Sequence, residues 1–182
     1  MPNAAPSPGI ALALSGGGFR ATLFHLGTLW RLNEMGWLPR LKVITSVSGG
    51  SITAGYLGIR WKALDFDTQG IAMNFEEAIV KPVRTFCRAT YDVWAGALGM
   101  LPGVSGGDVV ARGYRKHLFG DATLQELPDE ANAPRFILYA TSLQTGVSVR
   151  FSKTFLRDYK VGRIDHPAVA MSKVVAASSA FP

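Results

Sequence analysis

The residues with the clearest chemical promise lie between Leu41 and Gly58. Leu41, Val43, Ile44, Thr45 and Val47 make a mostly β-branched, nearly continuous apolar run, as a buried strand carries. Ser48-Gly49-Gly50 follows, and Ile52, Ala54, Tyr56 and Leu57 then suit a helix that runs to about Trp61-Lys62. Ser48 is thereby left on a sharp strand-to-helix turn, which pushes a side chain out of the backbone. The helix N-terminus beside it carries partial positive charge that favours an alkoxide or oxyanion. Ser48 is the candidate nucleophile of an acyl transfer.

Acyl transfer also needs fixed N–H groups around the oxygen of the tetrahedral intermediate, each contributing about 3–4 kcal/mol to the barrier. Gly16-Gly17-Gly18 comes straight after the apolar run Ile10–Leu14 and opens a helix, so its backbone can supply two or three such donors. Arg20 places a positive charge nearby as an anion-stabilising candidate. A phosphate cradle is the competing use of such a loop. Neither the G-x-G-x-x-G of a dinucleotide site nor the Gly-Lys-Ser/Thr of a P-loop is present.

The serine pattern needs care. Ser46-Val47-Ser48-Gly49-Gly50 departs from a strict G-x-S-x-G because Ser46 replaces the first glycine. The strict match is Gly103-Val104-Ser105-Gly106-Gly107, but Ser105 follows Leu101-Pro102-Gly103, which is turn chemistry and reads as a flexible loop.

These motifs must be held by an α/β frame. Ile10–Leu14 reads as a buried first strand, Ala21 to Met35 as a broadly apolar helix closed by Gly36, and the strand ending at Val47 completes a βαβ unit with a right-handed crossover. On the first helix Thr22, His25, Thr28 and Arg31 mark a more polar stripe. Residues 63–120 interrupt the alternation and read either as a helical insertion or cover beside a site or, more simply, as ordinary packing helices: a helix from Asn74 to Arg88 broken at Pro82, a loop over 101–108, and a basic helix from Val109 to Leu118. Arg135–Thr141 is a third strand, paired as a hairpin with Val147–Phe151. Asp165-His166-Pro167 opens a last helix over 168–180.

Composition bounds the rest. A chain of 182 residues with 48% hydrophobic and 18% charged residues is long and apolar enough for one folded domain and is not a disordered one. One cysteine, Cys87, excludes an internal disulfide and fits a reducing, cytoplasmic setting. No Cys/His spacing suggests a metal, and no cofactor is expected. A net charge of +6 favours anionic partners, either an anionic membrane surface or nucleic acid, but the basic residues are dispersed without a long run, so a solvated basic surface is the better reading of the charge; nucleic acid is not expected, and peripheral contact with a membrane surface stays open. Residues 1–9 read as a flexible leader without signal-peptide character, and no apolar run is long enough to span a bilayer.

Taken together, the sequence resembles the patatin-like phospholipases. Residues 15–20 resemble that family's Gly-Gly-Gly-x-Arg oxyanion loop and residues 46–50 its nucleophile motif. Asp121–Pro128, Tyr139–Gly146 and Ala176–Pro182 resemble further family segments in the family's order. The resemblance implies a single patatin-like domain over 1–182, with a three-layer α/β/α fold and a mainly parallel central sheet, incomplete at the C-terminus. It implies hydrolysis of lipid esters, of phospholipase A type, by a Ser–Asp dyad, with Ser48 as nucleophile and Gly16, Gly17 and Gly18 as oxyanion donors. A non-catalytic relative that binds anions or lipid surfaces is the alternative. Ser15, Ala21 and Ser46 depart from the family pattern. The dyad aspartate normally follows the Ala-Ser-Ser-Ala-Phe-Pro segment in an Asp-Gly setting, and the expectation is that it is not in this chain. Asp65, Asp67, Asp92, Asp108, Asp121, Asp129, Asp158 and Asp165 lie in no such setting. His25, His117 and His166 are the imidazoles available to a conventional triad, and structural roles fit them better.

Overall fold

A computed structural model of the protein describes residues 8–97 and 106–179. Strand β1 (Ile10–Leu14) leads into helix α1 (Gly18–Glu34), and β2 (Leu41–Val47) into α2 (Gly49–Arg60). β1 and β2 pair in parallel, with Leu12 beside Ile44 and Leu14 beside Ser46. Parallel neighbours need a crossover, which α1 provides. β3 (Arg135–Thr141) joins β2 in parallel on its other side. From there the sheet turns antiparallel through β4 (Ser148–Phe151), β5 (Phe155–Asp158) and β6 (Gly162–Asp165), so strand order equals chain order. The α/β class expected from the sequence is the one adopted: a six-stranded sheet, parallel at its start and flanked by helices. The expected β3–β4 hairpin is present, but the antiparallel part extends two strands further. β5 and β6 are short and charged, with β6 at the sheet edge, so no apolar alternation announces them.

Side chains alternate across a strand. Leu14, Ile44, Phe136 and Leu138 are buried on one sheet face, against which α2 and α5 (Met171–Ser179) pack. α1 lies along α2, and α4 (Gly106–Tyr114) along α5. On the opposite face Val43, Thr45, Ile137 and Tyr139 are half-buried and Val47 is exposed.

Two expectations are revised. The helix does not break at Pro82. A π-helical turn over Glu76–Val80 runs straight into α3 (Lys81–Ala97). Proline lacks an N–H and crowds the carbonyl four residues back, and the wider π turn relieves both without a break. The last helix begins at Met171 rather than after His166. The intervening backbone is held extended against residues 122–124, with Leu124 N–H donating to Val169 at 2.9 Å and Met171 N–H to Ala122 at 2.8 Å. α3 buries Val83, Phe86 and Cys87. Burial pushes the Cys87 thiol up to about 11, so it packs as a small apolar group.

Candidate active site

Ser48 sits at φ 54°, ψ −124°, directly between β2 and α2. That region is sparsely populated for residues with a Cβ, and holding one there costs about 1–3 kcal/mol. The strain is kept because the turn has no room to relax. A Cβ on Gly49 would lie 2.1 Å from the Gly18 carbonyl oxygen, and one on Gly50 would lie 2.5 Å from that of Leu14. These two glycines are required by close approach, which wedges the serine turn against the end of β1 and the start of α1.

The same wedge brings the two motifs together. A Cβ on Gly16 would stand 3.2 Å from Ser48 Cβ and 3.7 Å from Ser48 Oγ. The glycine loop therefore runs past the serine side chain. Gly17 and Gly18 take φ 135° and 60°, which glycine alone adopts without strain. A side chain at Gly17 would disturb the loop's path as well as anything its N–H does. Arg20 is exposed on the first turn of α1.

Polar side chains hold the turn, among them Ser51 and Ser178, to which the sequence reading assigns no role. Ser48 N–H donates to Ser178 Oγ at 2.9 Å. Ser178 Oγ lies 2.6 Å from the Tyr139 carbonyl and 2.8 Å from Ser51 Oγ, and Ser51 Oγ lies 3.0 Å from Ser46 Oγ. A hydroxyl has one proton and a carbonyl only accepts. Ser178 therefore gives its proton to Tyr139, Ser51 turns its own toward Ser178, and Ser46 turns toward Ser51. Every group is satisfied, and β2, α2, β3 and α5 are tied at one point. Ser46, a departure from the usual glycine, fits here as a buried hydrogen-bonding member. Thr22, on the polar stripe of α1, is fully buried and donates within reach of both Gly18 (3.1 Å) and Gly49 (3.0 Å) carbonyls.

His25 is also buried, and its Nε2 lies 2.9 Å from the Ser15 carbonyl. It thus donates to the backbone that begins the glycine loop, a structural role. His117 and His166 are exposed. Asp121 and Asp165 pair with Arg115 and Arg163, Asp129 with Lys153, and the Asp158 carboxylate accepts from Thr145, Lys160 and Val161. Among the described residues no carboxylate or imidazole bonds to Ser48. Ser105 lies outside the described residues.

Beside the glycine loop is a cavity of about 410 Å³ lined by Gly17, Gly18, Phe19, Arg20, Ile52, Tyr114 and Ser179. It is large enough for part of a small-molecule or lipid ligand. Ser179 donates to the Val175 carbonyl at 2.7 Å and lies 2.9 Å from the Tyr114 hydroxyl. Burial pushes that hydroxyl's pKa up, so Tyr114 stays neutral and offers an apolar wall.

Room around the elbow gives a direct stability test. Gly49→Ala forces a Cβ into rigid backbone and is expected to destabilise the fold by about 3 kcal/mol or more. Gly27→Ala, on the same α1–α2 pair but facing open space, is expected to leave stability unchanged or raise it by up to about 1 kcal/mol. Urea unfolding reads both, and equal midpoints would refute the wedge.

The family model for patatin-like phospholipase matches residues 12–182. No curated protein matches the sequence significantly. The chain superposes on human GIVD cytosolic phospholipase A2 in complex with methyl gamma-linolenyl fluorophosphonate with a TM-score of 0.59 at 18% identity, covering 94% of this chain and 29% of that one. The same human enzyme with that inhibitor and terbium chloride gives 0.61 at 17% identity, with the same coverage of 94% and 29%. At this identity the likeness is one of fold. The chain spans under a third of the length of these structures.

Proposed function

Because the chain belongs to the patatin-like phospholipase family, we propose that it is the nucleophile-bearing part of a lipid acyl hydrolase that cleaves carboxylic esters in the phospholipase A manner. Ser48 Oγ attacks the ester carbonyl and gives up its proton to a base. The carbonyl oxygen becomes an oxyanion held by N–H groups of the Gly16–Gly18 loop, with Arg20 adding positive charge at the rim. Collapse expels the alcohol and leaves an acyl-serine, which water then hydrolyses. The cavity beside the loop receives the apolar part of the substrate, a phospholipid or another acyl lipid met at a membrane surface. No helix among the described residues is long and apolar enough to cross a membrane, and the reading is one of peripheral contact. The base is the aspartate that the family resemblance implies, and we place it outside the described residues. The 182-residue chain alone is then a poor enzyme.

The observation that carries this reading is the close approach of the Gly16 backbone to the strained Ser48. A fluorophosphonate probe tests it, since such probes react with activated serines. In a protein that runs on to include its aspartate, peptide mapping should find the label on Ser48. Label on another residue would refute the assignment, and no label at all would favour the non-catalytic lipid-binding alternative.

A further inference from the structure

Three arginines that lie far apart in sequence meet in one row of the sheet. Arg150 on β4 is the direct partner of Arg157 on β5, which is the direct partner of Arg163 on β6. The row continues inward through Tyr139 to Val47, the residue before Ser48. Neighbouring strands are about 4.8 Å apart, so three guanidinium groups are rooted within roughly 10 Å. Like charges placed directly opposite across strands destabilise a sheet. The described residues offset little of this. Arg163 pairs with Asp165 and lies over the Phe155 ring, and Arg150 lies over the Tyr139 ring at 5.7 Å. Among the described residues no carboxylate pairs with Arg150 or Arg157.

The turns above this row expose large apolar side chains among polar ones. Leu143, in the β3–β4 turn, is 75% exposed, and Tyr159 and Val161, in the β5–β6 turn, are 73% and 77% exposed. Both turns stand at the edge of the sheet where β2 ends in Ser48, because β3 runs parallel to β2 and each later strand reverses. They are bolted together: Thr145 Oγ1 donates to Asp158 at 2.9 Å, and Lys160 Nζ to the Thr145 carbonyl at 2.8 Å. Apolar and aromatic tips over a cationic belt are what an interfacial lipid-binding element presents.

We infer that the β3–β4 and β5–β6 turns with the Arg150–Arg157–Arg163 row form a docking surface for a bilayer containing anionic phospholipid. The tips enter the interface, the arginines meet headgroup phosphates, and the repulsion within the row is relieved on binding. The surface rests on the proposed function only in that it turns the Ser48 edge toward lipid.

The test uses the Ser48→Ala chain, so hydrolysis cannot affect the readout. Co-sedimentation is measured with phosphatidylcholine vesicles with and without phosphatidylglycerol. Binding should require phosphatidylglycerol and fall as salt rises. Changing all three arginines to Gln should weaken it on the order of a hundredfold, from about fivefold for each basic residue at the surface. The matching Lys triple should retain most of it. Leu143→Ser with Tyr159→Ser and Val161→Ser should weaken it as well, with the charge unchanged. Thermal unfolding separates binding from structure: the Gln triple should melt no lower than its parent, since repulsion is removed. Equal binding by the parent and the Gln triple would overturn the inference, as would a Gln triple that loses binding because it melts early. Tight binding to duplex DNA with none to vesicles would overturn it in favour of nucleic acid.

Discussion

On the proposed mechanism, Ser48→Ala is expected to lower ester hydrolysis by about 10⁴-fold or more, measured with a short-chain p-nitrophenyl ester in a chain extended through an Asp-Gly segment. Removing the nucleophile of a cooperating set leaves only what the oxyanion donors and binding contribute. Alanine at this position also relieves no space conflict and removes no hydrogen bond from Ser48 Oγ to a described residue. The backbone N–H that bonds to Ser178 is retained. Folding should survive, so the loss belongs to chemistry. Ser46→Ala is the control. Ser46 is buried two residues away and, among the described residues, its Oγ bonds only to Ser51 Oγ, so its loss should leave hydrolysis within about tenfold, at the scale of one neutral hydrogen bond. Comparable loss in both variants would point to the serine network, and not to Ser48 Oγ, as the source of the effect.

The second large effect concerns the proton acceptor. A serine hydroxyl is weakly nucleophilic until a neighbouring group takes its proton. His25 is committed to the Ser15 backbone, and the carboxylates of Asp121, Asp129 and Asp165 are engaged by cations on the surface. Residues 1–182 are therefore expected to hydrolyse the p-nitrophenyl ester about 10⁴-fold more slowly than a chain extended through an Asp-Gly segment. Both chains should show the same Gly49→Ala penalty, because the elbow is complete in each. Equal rates from the short and extended chains would mean that the base lies within 1–182, and the Ser–Asp assignment would fall.

Much of the frame was legible along the chain. The first three strands, the helices after Gly18 and Gly49, and the β3–β4 hairpin announce themselves by local period and by glycine placement. Ser48 stood out for the same reason, since a strand-to-helix change around two glycines is a local pattern. What failed was equally local in cause. Pro82 is a helix breaker by intrinsic preference, but a π turn before it absorbed the conflict. Asp165-His166-Pro167 has the chemistry of a helix start, but pairing with residues 122–124 kept the backbone extended.

The sequence by itself determined the strand-to-helix turn, the glycine triplet, the α/β alternation and a net positive charge, because each depends on residues within a few positions of one another. Only the tertiary structure decided that Gly16 passes against Ser48, that Ser178 bonds to the Ser48 N–H from 130 residues away, and that His25 serves a backbone. It also decided that arginines dispersed along the chain stand in one row. Strand register sets that row, and register follows from burying Leu138 and Phe151 together on the helix-facing side, which sends Arg150, Arg157 and Arg163 to the other. A one-residue slip would exchange the two faces. The basic surface is thus a consequence of how the core packs, and no count of charges along the chain contains it.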